Sequence, residues 1–285
     1  MMGMRAALAS VILLMLINLS VVSATTTVTF QPGAYIIDMG SFPYTYATGL
    51  KPYGLVYDLV INKQVPVSWA IDPAKAKDGF DFVASTGLGT KFYRGGSFII
   101  PAEYATLAMS SISTWTAKGV KVDGPTVAPF SAPIFDTITS FPNAVCDLQN
   151  GKLIIAAFYT PSEVPASSYR LGSPQDLDPC DDVYAMPHAD PQSWTALQKN
   201  TFYNFINGGG CLWAACHSPS ALEGPAPTYL NWNFLSTGLI PWGSHDDPVP
   251  PYSYNASSAG HPIMQFLGRL DNALLSGSEQ VYLPR

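Results

Sequence analysis

Hydrophobic and polar positions alternate along this chain in repeating blocks: a short apolar run, a helical stripe, a stop, another apolar run. "GAYIIDMG" (33–40) predicts a buried strand bounded by glycines. "PYGLVYDLVINKQ" (52–64) follows with Leu55, Val56, Leu59 and Val60 at helical spacing, and "VPVSWAID" (65–72) predicts a second strand. Strand, helix and strand in that order suggest a βαβ unit with parallel strands. Residues 73–95 are polar and glycine-rich and read as an inserted loop or hairpin. "GSFIIPAEYATLAMSSISTWTAKGVKV" (96–122) repeats the rhythm. Its strand ends at Pro101, and its helix carries Tyr104, Leu107, Ala108, Ser111 and Trp115 on one face. Gly119 stops that helix before a short strand, Val120–Val122.

Residues 123–151 are rich in Pro, Ser and Asn and read as a connection or a domain boundary. The apolar run 153–159 predicts a buried strand leading into a short helix. A strand at Asp182–Pro187 comes next, then a helix with Trp194, Leu197, Phe202, Phe205 and Ile206 on one face. The glycines 208–210 stop it, and a strand 211–216 follows. The two halves share this plan, as an old duplication would, although any doubly wound protein repeats such units. The expected class is α/β, doubly wound on a mostly parallel sheet. Its parts are residues 25–150 and 151–285, sharing one sheet or packed as a pair.

The N-terminus changes the picture of where the protein works. Arg5 is the only charge before the apolar stretch Ala6 to Val22, which ends in Val22-Ser23-Ala24. A basic start, an apolar stretch and a small-residue site make residues 1–24 a signal peptide, and the expected location is extracytoplasmic. The competing reading is an uncleaved anchor, against which Asn18 and Ser20 interrupt the apolar stretch. No later segment is apolar for long enough to span a bilayer. Cleavage leaves 261 of the 285 residues, with 13 basic against 20 acidic side chains and no basic cluster, which argues against a nucleic-acid partner. The chain reads as a module of a surface protein, with further domains possible in a longer chain.

Four cysteines, Cys146, Cys180, Cys211 and Cys216, allow three complete pairings in an oxidising compartment. On a strand 211–216, Cys211 and Cys216 point to opposite faces roughly 16 Å apart and cannot bridge. Cys146 and Cys180, both in turn-rich segments, make the more plausible pair, and Cys216 is then a free thiol or paired elsewhere.

Candidate chemistry follows from the strand ends. Ligands of open parallel sheets bind beyond the carboxyl ends of the strands. His188 follows one predicted strand, and Cys216 and His217 end another, so that His188, Asp190, Cys216 and His217 share one edge. All four histidines (188, 217, 245 and 261) lie in the last hundred residues. A thiol at a strand-to-helix elbow faces helix N–H groups that stabilise a thiolate and serve as an oxyanion hole. Cys216 is then a nucleophile, with His188 or His261 as base and Glu223 or Asp190 as orienting acid. The plainer reading makes Cys216 a core thiol and Ser218-Pro219 a helix cap, with Ser220 and Glu223 a capping box. A third reading gathers His188, Asp190, His217, His245, Asp246, Asp247 and His261 around zinc, without the close helical spacing of a strong motif. No cofactor is expected.

"CDDVYAMPHADP…FYNFINGGGCLWAACHSPSALEG" resembles the class I glutamine amidotransferase-like fold, including its trehalose-utilisation-like branch, over about residues 150 to 270. The resemblance implies a flavodoxin-like sheet with Cys216 at the nucleophile position. The family's nucleophile is flanked by glycines where this chain has Ala214 and Ser218, and Ile263 stands where an acid follows His261-Pro262. It therefore implies a degenerate site, and a non-catalytic module for a small molecule or glycan ranks above a Cys-dependent hydrolase or transferase acting on a small amide, ester or glycan-derived substrate. His217, Asp190, His245 and Asp246 are the expected binding residues around that edge.

Overall fold

The computed structural model describes residues 25–41, 45–215, 218–224, 230–232, 260–265 and 267. They form a mixed α/β protein whose main sheets are a six-stranded antiparallel one and a four-stranded parallel one.

The first sheet contains β1 (Thr26–Phe30), β2 (Tyr35–Ile37), β3 (Val67–Ala70), β6 (Phe98–Ile100), β7 (Val122–Asp123) and β8 (Phe130–Ile138). Their order is β1-β8-β3-β6-β2-β7, and every adjacent pair is antiparallel. The expected parallel βαβ pairing is therefore corrected. β2 and β3 do run in the same direction, because both are antiparallel to β6, but β6 lies between them. Likewise β6 and β7 share a direction with β2 between them. The strand–helix–strand rhythm is real, and each crossover skips one position, which is the split βαβ arrangement.

The first crossover runs through α1 (Lys51–Tyr57), continued by a wider turn over Asp58–Asn62, and the second through α2 (Ala105–Ala117). Both helices cover one face of the sheet. Ile37, Phe98 and Ile100 point to that face and join Leu55, Leu59, Ile112 and Trp115 in one core. Their strand neighbours Ile36 and Ile99 point to the opposite face, as the two-residue period requires. That face is closed by the hairpin of β4 (Phe80–Thr86) and β5 (Gly89–Arg94), which contributes Phe82, Ala84 and Tyr93. The hairpin expected within 73–95 is thus the lid of the second core. Leu107, expected on the buried face of α2, is exposed, and Ile112 takes its place in the core.

Residues 123–151 are not a mere connection. They hold β8, the longest of the described strands, and β9 (Ala144–Asp147). Pro133 disguises β8 in the sequence, since a proline inside a run argues against a central strand. Its carbonyl accepts the N–H of Ile71 at 3.1 Å, so the residue still contributes to the sheet.

In the second sheet β10 (Tyr169–Gly172), β9, β11 (Val183–Met186) and β12 (Cys211–Ala214) stand in that order, all parallel. The crossover from β9 to β10 is α3 (152–162), and that from β11 to β12 is α4 (Ala196–Asn207). The expected strand at 153–159 is corrected to this helix. A continuous apolar run has no period of its own, and nothing breaks it before Pro161. It is not buried either, for Leu153 and Phe158 are more than half exposed. The two halves of the chain share a rhythm and differ in topology. Where they meet, Lys51 and Lys118 both pair with Glu163.

Candidate functional site at the carboxyl edge of the parallel sheet

Chain order across the second sheet reads second, first, third, fourth, so the connections leave β9 and β11 in opposite directions. The crevice beyond their carboxyl ends is where such sheets hold ligands. Two loops form it, 147–151 after β9 and 187–191 after β11.

Asp147 ends β9 and is 2% exposed. Its Oδ2 accepts the hydroxyl of Tyr184 at 2.7 Å, and its Oδ1 accepts the N–H of Gln149 at 2.8 Å. Burial, reinforced by the neighbouring Asp147 charge, holds the Tyr184 phenol far above its ordinary range, so it stays a hydrogen donor. The loop then turns sharply back. A Cβ on Gly151 would stand 2.4 Å from the carbonyl oxygen of Asp147, so only glycine fits.

The second loop is fastened from both sides. Gln149 Oε1 accepts the N–H of Asp190 at 2.8 Å, and Asn150 Nδ2 donates to the carbonyl of His188. Ser218 Oγ accepts the N–H of Ala189 at 2.7 Å and donates to the Ala189 carbonyl at 3.0 Å. Ser218 is fully buried and opens the short helix α5 (Ser218–Glu223). Its hydroxyl, expected to cap α5, thus serves the neighbouring loop. Ser220 is not engaged as a cap either, since its hydroxyl has no partner among the described residues.

The structure brings several expected site residues to this edge. His188 is exposed and Asp190 half-buried on the fastened loop. Glu223, 1% exposed, lies on α5, which packs against the turn at 191–193. His261 belongs to a segment whose described contacts run to the antiparallel half. Gly260 abuts Pro73, and the side chain of Gln265 accepts from Lys75 Nζ while its backbone lies against Gly95. Cys216, His217, His245, Asp246 and Asp247 lie outside the described residues.

The cysteine pairing is corrected. Cys146, Cys180 and Cys211 are all free. Cys146 sits inside β9, between β10 and β11, with its side chain buried, while Cys180 is exposed on the loop before β11. The turn-rich reading of "SFPNAVCDLQNG" failed because β9 occupies its centre. Burial pushes the Cys146 thiol up to about 11, which makes it inert at neutral pH. Among the described residues no three His, Cys, Asp or Glu side chains gather as a metal would require.

Asp147, Gln149, Asn150 and Tyr184 were not singled out by sequence reasoning, because the first three fall in the stretch read as a connection. The available signal was the Asp-x-x-Asn-Gly turn of "CDLQNG" directly after a short apolar run. No family model, curated protein or solved structure matches the chain.

Proposed function

We propose that this chain is an extracytoplasmic, non-catalytic α/β module that holds a small polar molecule or glycan in the crevice between the carboxyl ends of β9 and β11. The fold behind this reading is a doubly wound, flavodoxin-like second half of the amidotransferase-like kind, with a degenerate site. The observation that carries it is where the edge's polar side chains are used. Gln149, Asn150 and Ser218 all bond to the backbone of residues 188–190. They fix a rigid rim, with His188 presented outward on it. The extracytoplasmic placement rests on the signal-peptide pattern. β1 begins at Thr26, so cleavage after Ala24 leaves every described element intact.

The second reading, a Cys-dependent hydrolase or transferase, draws on one arrangement. Ser218, two residues beyond Cys216, anchors the loop that carries His188. Timed alkylation of the folded protein with iodoacetamide separates the two. A non-catalytic module leaves Cys216 with the rate of an ordinary thiol, falling steeply below neutral pH. Fast labelling of Cys216 that persists in mild acid, with turnover of an activated ester that the same alkylation abolishes, would replace the proposal with the hydrolase. N-terminal sequencing of the exported protein checks the location, the expected first residue being Thr25.

A further inference from the structure

The β4–β5 hairpin closes the second core with its inner face, and its outer face is open. Phe80 is 46% exposed there, Phe92 54% and Val83 38%. The register orders that face in three cross-strand pairs: Phe80 opposite Arg94, Val83 opposite Phe92, and Ser85 opposite Thr90. They form a strip roughly 14 Å long, with a cation at one end and hydroxyls at the other. We infer that this strip binds an acidic glycan, a short sugar chain bearing carboxylates, at a site separate from the crevice of the parallel sheet.

Arg94 is the group that selects an anion. Its guanidinium lies 4.6 Å from the centre of the Phe80 ring and makes no hydrogen bond or ion pair among the described residues. The side chain is nonetheless seated, for a Cβ on Gly40 would stand 2.7 Å from Arg94 Cγ. The carboxylates around the hairpin are already taken. Asp38 accepts from Lys91 Nζ at 2.7 Å, the Ser41 hydroxyl at 2.7 Å and the Gly40 N–H at 2.8 Å. Asp81 is buried and paired with Lys75, and Asp78 pairs with Lys77. A guanidinium stacked on a ring keeps its edge N–H groups free, and that fork matches a carboxylate in two parallel hydrogen bonds.

The rest of the strip suits sugar rings. Phe80 and Phe92 stand 4.7 Å apart at 40°, and their exposed faces can pack against the apolar C–H face of a pyranose. Ser85 and Thr90 bond to each other at 2.8 Å, which uses one of their two hydrogens and leaves acceptor sites for sugar hydroxyls. An apolar patch rimmed by polar groups of this kind marks a binding surface. Cross-strand aromatic pairs also stabilise hairpins, but the inner face already supplies that. There Phe82 stacks on Tyr93 at 5.0 Å and on Phe130 at 5.6 Å.

The carboxylate can belong to a uronic acid or to a sialic acid, and NMR titration of the full chain tells them apart. The probes are tetragalacturonate, its methyl ester as the uncharged equivalent, sialyllactose, and lactose as its neutral core. At least one acidic sugar is expected to bind below about 5 mM, and its neutral counterpart at least tenfold more weakly. The tighter acid names the source. Arg94→Gln is expected to weaken the acid about tenfold, to the level of the neutral compound, with the melting temperature unchanged. Phe92→Ser is expected to weaken it about fivefold or more. Leu107→Ser, which removes an exposed apolar side chain from α2 on the other side of the antiparallel sheet, should change nothing. Equal binding of acid and neutral compound, or no binding of either acid at about 5 mM, would overturn the inference. Binding untouched by Arg94→Gln would overturn it as well, and would place the sugar elsewhere without bearing against the crevice. A concentration-dependent dimer in sedimentation, abolished by Phe92→Ser, would give this face to a second copy of the chain instead.

Discussion

Gly54 lies in the middle of α1, where helix propensity alone rewards its replacement by alanine with about 1 kcal/mol. The structure demands the opposite sign. A Cβ at Gly54 would stand 2.0 Å from the carbonyl oxygen of Ser162 and 2.3 Å from Cη2 of Trp115. Neither neighbour can retreat cheaply. Trp115 is 5% exposed, and its Nε1 donates to Asp58 Oδ2 at 3.1 Å. The Ser162 carbonyl is backbone, at the end of α3, where the Ser162 hydroxyl bonds the carbonyls of Phe158 and Tyr159. Relief requires α1 to move away from both α2 and α3 by more than an ångström. Overpacking of this kind costs about 1–3 kcal/mol, and a rigid backbone neighbour puts Gly54→Ala near the top of that range. After the propensity gain the net loss is about 2 kcal/mol, or a melting temperature lower by about 4–8 °C. Thermal and urea unfolding followed by circular dichroism read it directly. A melting temperature at or above that of the wild type would mean that propensity governs this helix and that the close packing described between α1, α2 and α3 is wrong.

Ser218→Ala strips the only described partner from the buried N–H of Ala189 and is expected to cost about 1–3 kcal/mol in urea unfolding, with faster amide exchange at residues 188–190. The Asp181 carboxyl, which burial alone would raise, is held below its ordinary range by Arg170 and the N–H of Asp178. Its stabilisation is therefore complete above the unfolded pKa and lost as pH falls through the folded value, so Asp181→Asn should flatten the acid limb of the melting temperature between about pH 5 and 2. An acid limb unchanged by that substitution would assign acid sensitivity elsewhere. Mass-mapped alkylation at neutral pH should modify exposed Cys180 and Cys211 and spare Cys146 until denaturant is added. Modification of Cys146 at the same rate as Cys180 would place it outside the sheet core.

Much of the site region was legible because α4 is written in strong local grammar. Thr195 and Gln198 form a reciprocal capping box, Phe202 is the buried centre of its stripe, and Gly209 takes a positive φ of 99° where the helix must turn into β12. The same grammar placed His188 at the end of β11. Leu197, which fits the stripe, is nonetheless 64% exposed, because periodicity marks a face without saying how far a partner reaches along it. The polar contacts that build the rim were illegible for another reason. Gln149 and Asp190, or Asn150 and His188, meet only because β9 and β11 are neighbours in the sheet, and β9 is four residues of ordinary composition inside a turn-rich stretch. A strand of four residues leaves too few alternations for a period to show.

The deeper ambiguity lies in the strand–helix–strand rhythm itself. A crossover helix sets two strands in the same direction, and that is all the rhythm encodes. Whether they pair or leave a slot between them depends on what comes back to fill it. In the first half the chain returns through β4 and β5, and β6 enters the slot between β2 and β3 antiparallel to both. In the second half no strand returns among the described residues, β9 pairs directly with β10 and β11 with β12, and the sheet is parallel. The consequence for chemistry is large. Parallel strands all deliver their carboxyl ends to one edge, which is why Asp147, His188 and the start of α5 converge there. An antiparallel sheet alternates its ends and gathers no such set. The return through the hairpin at 80–94 brings β6 into that slot, and so it decides where this protein can have a site of this kind: with β6 making the first sheet antiparallel, the parallel edge is left to the second.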